Sequence, residues 1–240
     1  MGSNAVNRPR HVRGYGGRVD HDHSPTGTVQ FTQEFWDERY RSADKLWSGQ
    51  PNPQLVAQTA GLTPGEALEV GSGEGADAIW LARQGWTVTA VDVSTVALQR
   101  AAGHAAADGE EIARRITWRQ EDMRSWDPGP LRFDLVSAQY MYLPDGELEV
   151  MHRRLATAVR PGGMLLVVGH HPDDLEARFG QAARAHAFPT AEQLAASLDP
   201  GDWEILVTSA AGRPAADPEG RPVTVRDSVL RAVRRATRDS

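Results

Sequence analysis

The 240-residue chain contains no cysteine, which removes disulfides, thiolate metal sites and a cysteine nucleophile from consideration and fits a reducing, cytoplasmic setting. Long apolar runs are missing as well: none approaches the ~20 residues of a membrane span, so no membrane partner is expected. Lysine is nearly absent, with Lys45 the one example among 26 basic side chains, and the acids exceed the bases to give a formal charge of −6. Binding a phosphate backbone takes a basic face, so nucleic acid is not an expected partner. No repeat appears at solenoid periods. What is present, 40% hydrophobic and 24% charged residues, suits one main domain with one sizeable core, as a monomer or homodimer.

Met1 to Gly27 is rich in Gly, Arg, His and Pro, without periodicity or an apolar h-region. It reads as a flexible N-terminal arm rather than a secretory signal or a structured element. The start M-G-S-N-A-V fails the myristoylation pattern at Val6. Asp20-His21-Asp22-His23 alternates metal-ligand types, but a tail lacks the rigid surroundings a metal site needs, and no metal is expected. The domain proper is expected over residues 28–240, opening with a helical segment over 28–60. Within it Phe31, Phe35, Trp36 and Tyr40 fall near helical spacing, with Thr32 placed to cap. Trp47 through Pro53 follows, its shape fixed by Gly49, Pro51 and Pro53.

The most informative stretch is Ala67-Leu68-Glu69-Val70-Gly71-Ser72-Gly73-Glu74-Gly75, a short buried strand breaking into a glycine-rich turn that opens a helix near Ala76. Glycines there let a ligand approach the backbone, and the helix start offers unpaired N–H groups. A second strand, Val88 to Val91, ends in Asp92 at the spacing where a carboxylate meets ribose hydroxyls. Gly71, Gly73 and Ala76 also satisfy G-x-G-x-x-G/A, so a nicotinamide-dependent oxidoreductase is one reading. Glu69 argues against it: a carboxylate beside a pyrophosphate is repulsive, whereas an ammonium or sulfonium would welcome it. Glu121 and Asp122 add carboxylates past a third strand, Ile116 to Arg119.

The pattern continues as alternating strands and helices. Ala76–Arg83 is expected as a helix stopped by Gly85, and Ser94 as the cap of a helix ending at Asp108-Gly109. Phe133 to Ala138 reads as a fourth strand, followed by a helix capped by Asp145 with Leu148, Met151, Leu155 and Val159 on one face. Pro161-Gly162-Gly163 is expected to end that helix and launch a fifth strand, Met164 to Val168. Helices over Asp173–Ala187 and Ala191–Leu198 precede two strands, Trp203–Thr208 and Val223–Ala232, joined by a turn region from Gly212 to Arg221. Such units imply an α/β fold: a Rossmann-like, doubly wound, mostly parallel sheet with helices on both faces.

E-V-G-S-G-E-G, A-V-D-V-S, Q-E-D-M, F-D-L-V-S-A-Q-Y and R-P-G-G-M-L-L-V, in that order over residues 67–168, resemble the motif series of class I S-adenosylmethionine-dependent methyltransferases. The upstream F-W-D-E-R-Y and W-S-G-Q-P-N-P are similar to the leading segment of small-molecule methyltransferases of the tellurite-resistance and thiopurine type. Ser72 stands where many relatives have Cys. The resemblance implies a seven-stranded sheet whose last strand is antiparallel, and S-adenosyl-L-methionine as methyl donor. It implies a cradle at Gly71, Ser72, Gly73 and Gly75, and Asp92 accepting from the ribose hydroxyls. Asp122 would accept from the adenine amino group, with Val93 and Met123 as walls. Glu69 and Gln139 would lie at the ammonium end, with Trp47 shielding the methionine end.

Transfer from a sulfonium is an in-line displacement to a small-molecule nucleophile (S, Se/Te, O or N), with a soft nucleophile slightly preferred. Where the acceptor needs a base, Tyr140, Tyr142, His170 and His171 lie past the fourth and fifth strands. A non-catalytic donor-binding sensor or partner subunit is the remaining alternative.

Overall fold

A computed structural model of the chain describes residues 32–141, 143, 146–172, 174, 189–216 and 221–236. The N-terminal arm with its His/Asp tract, Tyr142, the Asp145 cap and most of the helix expected over 173–187 lie outside the described residues. The elements are α1 (Gln33–Arg41), α2 (Pro53–Thr59), β1 (Glu66–Val70), α3 (Ala76–Arg83), β2 (Thr87–Asp92), α4 (Thr95–Asp108), α5 (Glu110–Arg114), β3 (Ile116–Gln120), β4 (Phe133–Gln139), α6 (Glu147–Thr157), β5 (Val159–His170), α7 (Ala191–Ala196), β6 (Trp203–Ala216) and β7 (Pro222–Arg234). The strands form one seven-stranded sheet in the order β3-β2-β1-β4-β5-β7-β6. Pairing is parallel from β3 to β5, and β7 is antiparallel to both β5 and β6. This is the mostly parallel α/β sheet that the alternating pattern implied.

Both faces of the central strands are apolar because both are covered. On one face Leu68, Val136, Leu165 and Val167 pack with Leu148, Met151 and Leu155 of α6. On the other Ala67, Leu135, Met164 and Leu166 meet Ala78, Ile79, Leu81 and Ala82 of α3 and Leu55 of α2. The period-2 alternation puts Glu69 on the same side of β1 as Ala67, beneath α3. That places a carboxylate in an otherwise apolar layer.

Several local signals form as read. Thr32 accepts the Phe35 N–H at 3.3 Å, and Ser94 caps α4 through the Ala97 N–H at 3.1 Å. Three readings are corrected. Pro161-Gly162-Gly163 does not end α6, which stops at Thr157; it sits inside β5, where the register to β4 shifts between Phe133 and Leu135. Two glycines and a proline suit an irregular strand as well as a helix stop. Val159 accordingly opens β5 instead of completing the face of α6. β6 and β7 pair from Trp203↔Arg234 out to Ala216↔Pro222, so the ladder extends through residues 212–216 of the expected turn region. The short helices α2 and α5 carried too few turns to show a period.

One core residue makes a measurable prediction. His152 on α6 is 5% exposed, and among the described residues neither ring nitrogen has a hydrogen-bond partner. Burial pushes its pKa down from 6.5 to about 4. The unfolded chain therefore binds a proton that the folded chain refuses, and stability present above pH 6.5 is lost as pH falls toward 4, by about 3 kcal/mol in all. His152→Leu is expected to raise urea stability at pH 7 by about 1–3 kcal/mol, the cost of an unpaired buried polar group, and to flatten the loss between pH 6.5 and 4.

Candidate active site

The glycine loop connects the carboxyl end of β1 to the start of α3, at the centre of the sheet where its order reverses. The Gly71 and Ser72 N–H groups donate to the Val91 carbonyl at 2.9 and 3.0 Å, pinning the loop to β2. Gly73 (φ 51°) and Gly75 (φ 90°) occupy the left-handed region. They serve different ends. A Cβ on Gly75 would lie 2.8 Å from the Trp118 ring and 2.9 Å from the Ala101 Cβ, so that glycine permits close packing of the helix layer. A Cβ on Gly73 would stand 3.0 Å from the Tyr40 hydroxyl and 3.3 Å from Trp47 Nε1, and one on Gly71 would meet the Met141 sulfur. The exposed backbone of the loop is thus covered by a tyrosine, a tryptophan and a flexible methionine.

Asp92 closes β2 beside this loop, 8% exposed. Its Oδ2 accepts the Gly73 N–H at 2.8 Å and its Oδ1 the Ser94 N–H at 2.9 Å. Burial raises its pKa, with those backbone N–H groups opposing. It therefore shapes the loop and starts α4, and its oxygens keep lone pairs for a further donor.

The preceding helices are tied down over this centre by buried acids. Asp37 of α1 accepts from Ser94 Oγ at 2.6 Å, Thr95 Oγ1 at 3.1 Å and the Val96 N–H at 3.2 Å. Burial alone would raise the Asp37 pKa, but the hydrogen bonds from Ser94, Val96 and Thr95 outweigh it and leave it lowered. Trp47 Nε1 donates to the Tyr40 hydroxyl at 2.9 Å. Glu74, at the tip of the loop and 6% exposed, accepts the Leu46 and Trp47 N–H groups at 3.1 and 3.2 Å, while Arg100 donates to its other oxygen at 3.0 Å. Sequence reasoning missed this role, because the two amides lie 27 and 28 residues upstream in a stretch without periodicity.

Asn52 makes a second tie. Its N–H donates to Asp77 at 2.6 Å, its Nδ2 to Gln139 at 3.2 Å, and its Oδ1 caps α2 through the Gln54 N–H at 2.8 Å. Gln139 in turn donates to Ser137 Oγ at 2.7 Å. Below this network lies Glu69, 1% exposed; among the described residues its Oε2 and the buried Ser72 hydroxyl have no hydrogen-bond partner. Burial first, then the nearby Asp77, pushes Glu69 well above the carboxylate range, opposed by a hydrogen bond from Ser137. Asp77 is itself raised to about 6 by desolvation, with the Asn52 N–H opposing. Among the described residues no cation meets Glu69, so this corner favours a positively charged guest.

The other expected positions divide. Asp122 is engaged by Arg124, which donates to it through Nε at 3.0 and 3.1 Å, through a terminal nitrogen at 2.6 Å and through its N–H at 2.9 Å. Those bonds lower its pKa. Met123 is 5% exposed and packs in the core with Leu68 and Val91, while Val93 is half-buried at the rim. Past β4, Tyr140 holds a left-handed conformation (φ 48°) and donates its N–H to the Val168 carbonyl at 2.7 Å. Its ring centroid lies 4.5 Å from that of His170. Burial drives the Tyr140 pKa upward, which keeps the phenol neutral and unfit as a base near neutrality. His171 is joined to β7 by its N–H to the Arg226 carbonyl at 3.1 Å. The hairpin adds Arg213 and Asp227, 2.6 Å apart and unremarked in the sequence.

Removing the clasp at Glu74 has a predictable cost. Glu74→Ala strands two amides and the Arg100 guanidinium and should lower stability by about 1–3 kcal/mol, with faster amide hydrogen exchange at Leu46 and Trp47. Unchanged exchange there would show that the clasp does not hold the segment.

A family profile described as a methyltransferase domain matches residues 67–163. Over 147 residues the chain is 28% identical to 2-heptyl-1-hydroxyquinolin-4(1H)-one methyltransferase of Mycobacteroides abscessus, covering 57% of this chain and 63% of that protein. Over 138 residues it is 25% identical to a probable thiol methyltransferase 2 of Arabidopsis thaliana, covering 55% and 60%. The chain thus spans about three fifths of the length of these curated relatives. A structure solved in work on the conversion of a disulfide bond into a thioacetal group during echinomycin biosynthesis superposes with TM-score 0.65 over 87% of this chain and 93% of that one, at 23% identity, a likeness of fold. The glycine loop, the carboxylate at the end of β2 and strands β1 to β5 all fall in the matched or adjoining residues, and it is this segment that is similar to a methyltransferase domain.

Proposed function

We propose that the chain transfers a methyl group from S-adenosyl-L-methionine to a small-molecule nucleophile, leaving S-adenosyl-L-homocysteine. The observation that carries this reading is the buried Glu69 carboxylate beside Asp77, under the glycine loop, with Glu69 Oε2 and Ser72 Oγ without a hydrogen-bond partner among the described residues. An ammonium group satisfies that corner; a pyrophosphate would be repelled by it. The residues present fit the donor in kind. Gly71, Ser72 and Gly73 give backbone approach while Gly75, expected with them, is taken up by packing against Trp118 and Ala101; Asp92 accepts from the ribose hydroxyls, and Glu69 and Gln139 face the amino-acid end. Asp122 accepts from the adenine amino group while keeping Arg124, with Val93 and Met123 as apolar walls. Met141 yields its place over Gly71, as a flexible thioether can.

The donor, when bound, supplies an electrophilic methyl on a cationic sulfur. The protein's part is alignment and exclusion of water. Residues 28–60 act as a lid, with Trp47 and Tyr40 closing over the methionine end. Fixing nucleophile and methyl at near-attack distance lowers the barrier by roughly 7–11 kcal/mol relative to a dilute encounter. A sulfur acceptor, or another soft nucleophile, is the preferred class; the thiol methyltransferase relative supports it.

Saturating S-adenosylhomocysteine should raise the melting temperature, by the equivalent of about 2.7 kcal/mol at a hundred times its Kd. Glu69→Gln separates stability from binding. An acid whose folded pKa is raised costs stability as pH climbs through the window above 4.5, so the variant should melt higher than the parent chain at pH 8 without ligand. It should also bind S-adenosylhomocysteine at least tenfold more weakly. No ligand-induced shift in the parent chain, or unaltered affinity in Glu69→Gln, contradicts the assignment.

A further inference from the structure

Building on the methyl-transfer reading, we propose that His170 is the general base of the acceptor side, held by Asp227 and Arg213 as positioning residues, and that the acceptor is a weakly acidic thiol or phenol that arrives protonated. The topology brings these groups together from four strands. His170 ends β5, Tyr140 follows β4, Asp227 sits opposite His170 in the antiparallel register to β7, and Arg213 reaches Asp227 from β6. Asp227 is 0% exposed. Its Oδ2 takes Arg213 Nε at 2.6 Å, and its Oδ1 lies 3.9 Å from His170 Nδ1. That gap is about 1 Å beyond a hydrogen bond, in the range where catalytic pairs tighten on loading.

Tyr140 completes the arrangement. Its ring lies against the imidazole at 4.5 Å and 33°, and Arg213 lies 5.9 Å from the centre of the tyrosine ring. The left-handed backbone of Tyr140 is the one non-glycine case of positive φ among the described residues, strain of a kind that gathers at functional sites. Tyr140 follows directly on Gln139 and precedes Met141, which touches Gly71, so the cluster borders the donor site rather than a distant face.

Among the described residues, Tyr140 just past β4 and Asp227 of β7 face His170, and Arg213 of β6 is paired with Asp227. Near His171, one residue on, lie Asp174 and Glu192, whose pKa values it helps to lower, and Asp174 is paired with Arg226. In the step itself the acceptor's X–H bond breaks and its electron pair forms the X–CH3 bond. The methyl–sulfur pair returns to the donor sulfur, which ends neutral, and the proton passes to His170. Charge is conserved: a sulfonium is consumed and an imidazolium formed, with Asp227 placed to stabilise it.

The test uses the chain saturated with S-adenosylhomocysteine. His170 is titrated by histidine NMR and assigned by loss of its signal in His170→Gln. Asp227→Asn should lower the His170 pKa by a unit or more, and Arg213→Gln should raise it. Shifts of opposite sign place His170 in the field of both groups, and turnover then separates a base from a merely packed imidazole. In turnover with S-adenosylmethionine, His170→Gln should lose 10²–10⁴-fold on an alkyl thiol protonated at neutral pH and under tenfold on an aromatic thiol already ionised there. Equal losses on the two thiols, or a His170 pKa that is unmoved or moves the same way in both variants, overturn the proposal. Failure of the parent chain to bind S-adenosylhomocysteine removes the methyl-transfer reading itself, and a bound chain with an unresponsive His170 removes only this one.

Discussion

Everything at this site is arranged around a carboxylate kept in an apolar layer of the protein. Glu69 faces α3 because alternation along β1 leaves it no other side, and Ala67, two residues earlier on the same side, belongs to the core. A buried charge without a counter-charge is expensive, and the pair with Asp77 makes it more so. The fold retains it at a point where the sheet order reverses and where Gly71 and Gly73 bring no Cβ to the loop. Such a cost is characteristic of sites whose missing partner is the ligand.

The same economy of acids explains how the N-terminal helices are held. Asp37, Glu74 and Asp77 each receive donors from a segment remote in sequence, so α1, the Leu46–Trp47 stretch and Asn52 are fastened to the Rossmann-like core by hydrogen bonds to carboxylates as well as by packing. Attachments of this kind are directional and separable, which suits a cover that opens for ligand exchange. Glu74 and Gly73 are neighbours, so the loop proposed to take the donor also holds the Leu46–Trp47 segment. Loop and cover are coupled through two adjacent residues.

Much of this was legible in the residues. Buried parallel strands announce themselves as apolar runs, and the glycine loop and Asp92 by their spacing; caps at Thr32 and Ser94 followed from chemistry that acts within one turn. What escaped was the long-range part. Asp227 and Arg213 look like ordinary charges in a polar strand until pairing with β5 brings Asp227 opposite His170. Asp122 looked free to meet a ligand, and its partner Arg124 was only two residues away, but the local turn that joins them has no pattern in the sequence. Pro161-Gly162-Gly163 punctuates either a helix end or a strand irregularity, and tertiary pairing chose the second.

The central claim is that a protonatable carboxylate pair at Glu69 and Asp77 waits for the donor's ammonium. Calorimetric titration with S-adenosylhomocysteine at pH 6, in buffers of differing ionisation enthalpy, measures it directly. The account predicts net proton release on binding, because the ammonium favours the ionised pair, with release fading as pH rises and the pair empties of protons. Binding with no proton exchange, or with proton uptake, would contradict it.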